Sequence, residues 1–188
     1  MRPQHGGLAP SAWVQRWSAL VPHGARVLDV ACGAGRHVNW FAARGARVTA
    51  LDRDTQALAP LRALPGVAVE VVVADIENAP WPLAGRRFDA VVVTNYLWRA
   101  LWPTLLASVA VGGVLIYETF ARGNETVGKP SNPDFLLEPG ELLGAMSGLR
   151  VLAYEDGFIA EGVPRFVQRA AGVRELPSPA APPRYPLP

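Results

Sequence analysis

The sequence predicts an α/β fold: a doubly wound, mostly parallel, seven-stranded sheet with an antiparallel edge strand and helices on both faces. Three observations lead there. Strand-sized apolar runs alternate with helix-length segments in a βαβα rhythm. The first strand-sized run ends in a glycine turn that opens into a helix. Near the C-terminus, two strand-sized runs follow one another with only the short link 157–164 between them, which reverses the chain and makes one edge antiparallel.

Each element follows from its residues. Residues 11–20 form a short amphipathic helix with Ser11 as N-cap. Trp13 and Trp17, four apart, share a face and pack on the sheet; a role lining a lid over a ligand is the lesser reading. Residues 26–31 are a buried strand, Gly33 to Gly35 a tight turn, and residues 36–44 a helix ended by Gly45. Residues 46–51 form the second strand. Residues 55–64 form a helix stopped by Pro65 and Gly66. Residues 67–74 form the third strand, as rich in Val as buried parallel strands are. Residues 88–94 are the fourth strand, and a helix follows near 103–109. Gly112 and Gly113 turn the chain into a fifth strand, 114–119. A long connection, 120–137, precedes a short helix, 141–146, opened by Pro139 and Gly140. Strands 149–155 and 165–171 complete one domain, residues 1–172. The tail 173–188 holds Pro177, Pro179, Pro182, Pro183, Pro186 and Pro188, which excludes a helix or an inner strand there.

Composition narrows the function. Half of the 188 residues are hydrophobic, enough for a well-buried core, and the formal net charge is only +2 with no run of five like charges. A nucleic acid is therefore not the expected partner. The single cysteine, Cys32, rules out an internal disulfide framework and a cysteine-built zinc site, and no metal is expected. The first ten residues lack an apolar signal core, no apolar run is long enough to span a membrane, and the expected compartment is the cytoplasm.

The most informative segment is Val27-Leu28-Asp29-Val30-Ala31-Cys32-Gly33-Ala34-Gly35. In open parallel sheets ligands sit outside the carboxyl ends of the strands. Gly33 and Gly35 let a ligand approach the backbone closely, and the N–H groups of the helix beyond suit an anionic group. A nicotinamide-dependent oxidoreductase, the NAD(P) reading, wants G-x-G-x-x-G. Here Val38 holds the third position, and Asp29 would repel a pyrophosphate while suiting a cationic ligand. Asp52 ends the second strand, where a carboxylate accepts from vicinal ribose hydroxyls, with Arg53 beside it. Asp75 ends the third strand, followed by Ile76. Three acidic strand ends in this order form a nucleoside-binding pattern.

This segment resembles motif I of the class I S-adenosylmethionine-dependent methyltransferases, which share a Rossmann-like sheet. Ala31 stands where the family has the first of its alternate glycines. The resemblance spans roughly residues 26–171 and implies S-adenosylmethionine as cofactor and S-adenosylhomocysteine as product. It further implies that Asp29 faces the methionine ammonium, that Ala31, Gly33 and Gly35 line the methionyl and ribose part, and that Asp52 holds the ribose. Asp75 and Ile76 meet the adenine, with Arg53 and Asn95 near the cofactor. Trp81 packs beside the adenine or covers the core. Thr94 to Arg99, Tyr117 to Phe120 and Gly128 to Leu137 together resemble a bacterial branch labelled tellurite-resistance-like methyltransferases. Trp98 stands where that branch often carries His, so a proton-transfer role is absent there. The Asn-Pro-Pro-aromatic signature of enzymes that methylate nucleic-acid amino groups is missing after Asn95 and Tyr96.

The chemistry implied is methyl transfer to a small-molecule acceptor, with a non-catalytic S-adenosylmethionine-binding module as the alternative. Catalysis by positioning needs a base only for a protonated nucleophile. The candidates are Tyr96, Glu118 and His37, with Arg99 as an anion-binding group. His37 either caps the ligand's carboxylate side or sits at the surface; Glu118 binds substrate or locks the following loop. Asp89 is expected to brace the sheet. The connection 120–137, carrying Arg122, Asn124, Glu125 and Lys129, is expected to cover the substrate. Neither the acceptor nor the oligomeric state is legible.

Overall fold

The computed structural model describes residues 9–63, 68–177, 181 and 183–188. The first strand-turn-helix unit is β1 (Arg26–Val30) and α2 (Arg36–Ala42), preceded by α1 (Ala12–Trp17). Then come β2 (Arg47–Asp52), α3 (Thr55–Leu58), β3 (Val69–Val73) and β4 (Phe88–Thr94). They are followed by α4 (Trp102–Ser108), β5 (Val109–Phe120), α5 (Glu141–Ala145), β6 (Arg150–Ile159) and β7 (Arg165–Val173).

The seven strands are ordered β3-β2-β1-β4-β5-β7-β6. The pairings from β3 to β5 are parallel, and β7 runs antiparallel to both β5 and β6. The reversed strand therefore lies one place in from the edge, and the edge strand β6 pairs antiparallel with it. The order turns around between β1 and β4, which places the ligand crevice of a doubly wound sheet above their carboxyl ends.

Alternate residues of each central strand face opposite layers. Val27, Val48, Val92 and Ile116 join Trp13, Trp17, Val38, Phe41 and Leu58 on one face. Leu28, Leu51, Val91 and Leu115 join Leu105, Leu137, Leu142 and Met146 on the other. Trp13 and Trp17 are each only 1% exposed, their ring centroids 5.7 Å apart, and the Trp13 indole N–H donates to the Ala170 carbonyl. Both tryptophans are thus sheet packing. Ser11 caps α1 by accepting from the Trp13 N–H. Among the described residues, no helix is long and apolar enough to cross a membrane.

Four expectations need correction. The Val-rich β3 is an edge strand of intermediate burial, because strand order, which composition does not encode, decides burial. The helix after β2 is α-helical only to Leu58 and continues as a 3-10 turn through Ala63, since Pro60 has no N–H for an α-helical bond; the Pro65-Gly66 stop lies outside the described residues. Gly112 and Gly113 are no turn before a strand but lie inside β5, where the register against β4 shifts. Gly112 there takes φ +80°, and a Cβ on Gly113 would come within 2.9 Å of the Phe88 carbonyl. β6 runs on to Ile159, which shortens the hairpin link to 160–164, and β7 runs on to Val173, one residue past the expected domain end. The long connection folds as two short 3-10 turns, Asn124–Thr126 and Pro133–Phe135. Of the tail, Tyr185 packs against the face holding Trp17 and lies 5.7 Å from the Arg150 guanidinium.

Candidate functional site

The site is built at the carboxyl ends of β1, β2, β3 and β4. β1 delivers Asp29, which is 1% exposed, and both of its carboxylate oxygens are buried without a hydrogen-bond partner. Burial pushes its pKa up to about 8, against the pull of the Arg36 guanidinium. An acid left this way forfeits solvation with little in return, so its placement points to a ligand. After β1 the chain makes its glycine turn with Ala31 at φ +52°, Gly33 at +54° and Gly35 at +78°. All three lie in the left-handed region that favours glycine. A Cβ on Gly33 would meet nothing within 4 Å, whereas one on Gly35 would strike the Leu61 side chain at 2.5 Å. Gly33 therefore borders open space and Gly35 a packed contact.

Asp52, ending β2, grips this turn. Its carboxylate accepts the Gly33 N–H and the Asp54 N–H, each at 2.8 Å, one on each oxygen. A lone pair remains on each oxygen for a diol. Asp75 accepts the Glu77 N–H and the Asn78 amide, and those bonds hold its pKa below the usual range. Arg53 reaches across to Asp75 (3.9 Å) and Glu77 (3.6 Å). A groove of about 870 Å³ runs along Gly33, Asp52, Arg53 and Asp75. It adjoins a pocket of about 180 Å³ between Ala31, Ile76, Glu77 and Tyr96. The structure thus brings together Ala31, Gly33, Asp52, Arg53, Asp75 and Ile76. Asn95 sits at the end of β4 at φ +54°, its N–H donating to the Glu118 carbonyl.

The acid–base candidates are placed differently from expectation. His37 neither caps a ligand nor sits at the surface: it is 1% exposed, with Nε2 accepting the Ser11 N–H at 3.1 Å and Nδ1 facing the Thr94 hydroxyl at 3.4 Å. Burial, then the Arg36 charge, lowers its pKa to about 3. Glu118 is also buried, accepting from the Ser11 hydroxyl (2.9 Å) and Arg169 (3.4 Å), so it locks α1 rather than the loop after β5. Tyr96 lines the small pocket; its hydroxyl is buried without a hydrogen bond, and burial with the nearby Glu77 raises its pKa. Arg99 is not an anion site. It pairs with Glu141 through two nitrogens and donates to the Asp134 and Leu136 carbonyls.

The polar residues of segment 120–137 mostly hold the segment itself. The buried Asn124 donates to the Pro130 carbonyl and accepts the Phe166 N–H, Arg122 pairs with Glu138, Glu125 accepts the Gly123 N–H, and Lys129 donates to Ser131. Leu136 and Leu137 are its buried anchors, while Phe135 is exposed. Trp81 packs on the core and lines a separate groove with Leu83 and Arg86. Asp89 braces β1 at the far end, accepting from the Arg26 N–H and guanidinium.

Three residues escaped sequence reasoning. Arg36 opens α2 beside Asp29, half-buried with no side-chain hydrogen bond or ion pair among the described residues. Ser11 joins His37 to Glu118, and Arg165 starts β7. Only Arg36 carried a local signal, being the first residue after the glycine turn.

Residues 27–111 match the model of a methyltransferase domain family. The chain is 37% identical over 111 residues to a ubiquinone biosynthesis O-methyltransferase of Xanthomonas axonopodis pv. citri, covering 55% of this chain and 46% of that protein. It is 34% identical over 140 residues to a malonyl-(acyl-carrier protein) O-methyltransferase of Enterobacter lignolyticus, covering 67% and 54%. The chain thus spans about half the length of these curated relatives. Its fold is similar to that of TehB from Haemophilus influenzae, with a TM-score of 0.70, 19% identity, and coverage of 87% of this chain and 61% of that one.

Proposed function

We propose that the chain is a class I S-adenosylmethionine-dependent methyltransferase that transfers a methyl group from that cofactor to a small-molecule acceptor, a reading supported by the match of residues 27–111 to a methyltransferase domain family. The observation that carries the reading is Asp29: a buried carboxylate without a hydrogen-bond partner, beside a guanidinium equally unengaged among the described residues, at the mouth of a glycine turn. A zwitterionic amino-acid moiety answers both, its ammonium on Asp29 and its carboxylate on Arg36. Asp52 holds the ribose hydroxyls, and the cradle left open at Gly33 takes the chain between them. Asp75 and Ile76 receive the adenine, with Arg53 over its edge. Asn95 stands at the methyl-bearing end.

The cofactor supplies an electrophilic methyl on a sulfonium. This chain's residues bind, orient and exclude water, and the rate gain comes from aligning the nucleophile. The self-stapled segment 120–137 forms the acceptor-side cover. The two curated relatives bear the names of O-methyltransferases, which supports a small acceptor oxygen. A cytoplasmic location goes with this reading, supported by the lone buried thiol of Cys32.

The test is thermal unfolding with S-adenosylhomocysteine, S-adenosylmethionine and NAD at about a hundred times the dissociation constant, where a bound ligand adds roughly 2.7 kcal/mol. For this chain length that is about 5 to 10 °C in Tm. Shifts with both S-adenosyl compounds, absent with NAD and lost in Asp52→Ala, are expected. A shift with NAD alone refutes the reading.

A further inference from the structure

Resting on that reading, we propose that His37 is a positioning residue for the cofactor: tied to α1 and to β4, it fixes the first turn of α2 so that Arg36 meets the cofactor's carboxylate. α2 starts without a side-chain cap, because Gly35 stands at its N-cap with φ 78°. Contacts beyond the helix therefore locate its first turn. Val38 supplies the apolar contact, being fully buried, and His37 supplies the polar ones, its imidazole enclosed between two neighbouring elements.

The tautomer follows from the donors. The Ser11 N–H can only donate, so Nε2, 3.1 Å away, is the unprotonated nitrogen. The proton then sits on Nδ1, which donates to the Thr94 hydroxyl at 3.4 Å. One neutral ring thus joins the N-cap residue of α1, the first turn of α2 and the last residue of β4, next to Asn95. A protonated ring would lose the Ser11 bond and set a second cation beside Arg36.

The tie to α1 is firm because Ser11 is itself held. Its hydroxyl donates to Glu118 at 2.9 Å and accepts the Trp13 N–H at 3.1 Å. The Trp13 indole donates to the Ala170 carbonyl, and the Arg169 guanidinium, bonded to Glu118, lies 4.9 Å from the Trp13 ring. These groups are spent on one another. Arg36, one residue before His37, has no side-chain hydrogen bond or ion pair among the described residues. A long guanidinium side chain recognises an anion well only where its backbone is held in place. The frame does the holding and Arg36 the binding, so docking of α1 and capture of the cofactor's amino-acid end are coupled.

The experiment is calorimetric titration of the full chain with S-adenosylhomocysteine and with 5′-methylthioadenosine, which keeps the adenosine and thioether but lacks the ammonium and the carboxylate. His37→Leu should weaken S-adenosylhomocysteine by roughly tenfold and 5′-methylthioadenosine by less than about twofold. In an Arg36→Gln background the same substitution should weaken S-adenosylhomocysteine by less than about twofold more. His37→Gln, whose amide oxygen can accept the Ser11 N–H, should recover part of the loss. A second route leaves the core untouched. Ser11→Pro removes the N–H at a φ of −55° that suits proline, with Ser11→Ala as the control for the lost hydroxyl. It should bind S-adenosylhomocysteine at least about threefold more weakly than Ser11→Ala does. Equal losses for the two ligands in His37→Leu, unchanged affinity for S-adenosylhomocysteine there, additive losses with Arg36→Gln, or equal affinities in the two Ser11 variants would overturn the proposal. Failure of the parent to bind S-adenosylhomocysteine, or an Arg36→Gln variant that binds it as the parent does, would instead overturn the cofactor reading beneath it.

Discussion

Replacing Asp29 with Asn removes a titratable carboxyl and leaves the shape. Asp29 is fully buried, and its pKa stands at about 8 against an ordinary 3.8. A carboxyl raised in this way holds its proton more tightly in the native state than in the unfolded chain. Stability therefore falls as pH rises from about 4 to about 8 and is level beyond. At pH 7 the penalty approaches (7 − 3.8) × 1.36, or about 4 kcal/mol. Asp29→Asn escapes it, so the ligand-free variant should unfold about 10 °C above the parent at pH 7 and level with it at pH 4. Cofactor affinity should move the opposite way, because the neutral amide offers the ammonium no charge. The assay is a paired series of thermal melts from pH 4 to pH 8.5, with calorimetric binding of S-adenosylhomocysteine in buffers of differing ionisation enthalpy. The parent should release roughly nine-tenths of a proton on binding at pH 7, and the variant none. A stability difference that does not change with pH, or an Asp29→Asn variant less stable than the parent at pH 8, would refute the reasoning.

Other outcomes follow from the same geometry. Gly33→Ala and Gly35→Ala each carry about 1 kcal/mol of left-handed strain. Only Gly35→Ala also strikes Leu61, so it should lose about 1 to 3 kcal/mol more in urea unfolding, while Gly33→Ala folds and fails to bind S-adenosylhomocysteine in calorimetry. The imidazole of His37, held near pKa 3 by burial, should show no titration between pH 8 and pH 5 by ring nitrogen NMR. It binds fewer protons folded than unfolded, so it contributes stability above pH 6.5 that is lost as pH falls toward 3. Arg99→Ala cuts the Glu141 pair and two carbonyl bonds. It should cost about 2 to 3 kcal/mol and raise amide exchange at 134–138, which hydrogen-exchange mass spectrometry reads.

What the sequence disclosed and what it hid divide along a physical line. Asp29, Gly33 and Asp52 were legible because a strand end, a glycine turn and a following helix N-terminus are local objects, written in consecutive residues. The partners of the remaining groups are not local. Arg99 meets Glu141 across 42 residues, Ser11 meets His37 across 26 and Glu118 across 107. No spacing rule announces such pairs, so Arg99 looked free to bind an anion and His37 was left between capping a ligand and lying at the surface. The valines of β3 and the glycines of β5 misled for another reason. Composition reports what a segment tolerates, while sheet order and register decide what it receives.

The backward course of β7 has a consequence for how such a chain diversifies. The β6–β7 hairpin turns at 160–164, more than a hundred residues from the glycine turn, at the end of the sheet where β5 finishes. One side of that end of the sheet is thus written early in the sequence and the other side late. Changes confined to the hairpin leave the Gly33–Asp52 contact untouched. Grafting hairpins of different length or charge onto this framework is therefore a natural way to vary that end of the sheet, with the early half serving as a constant chassis.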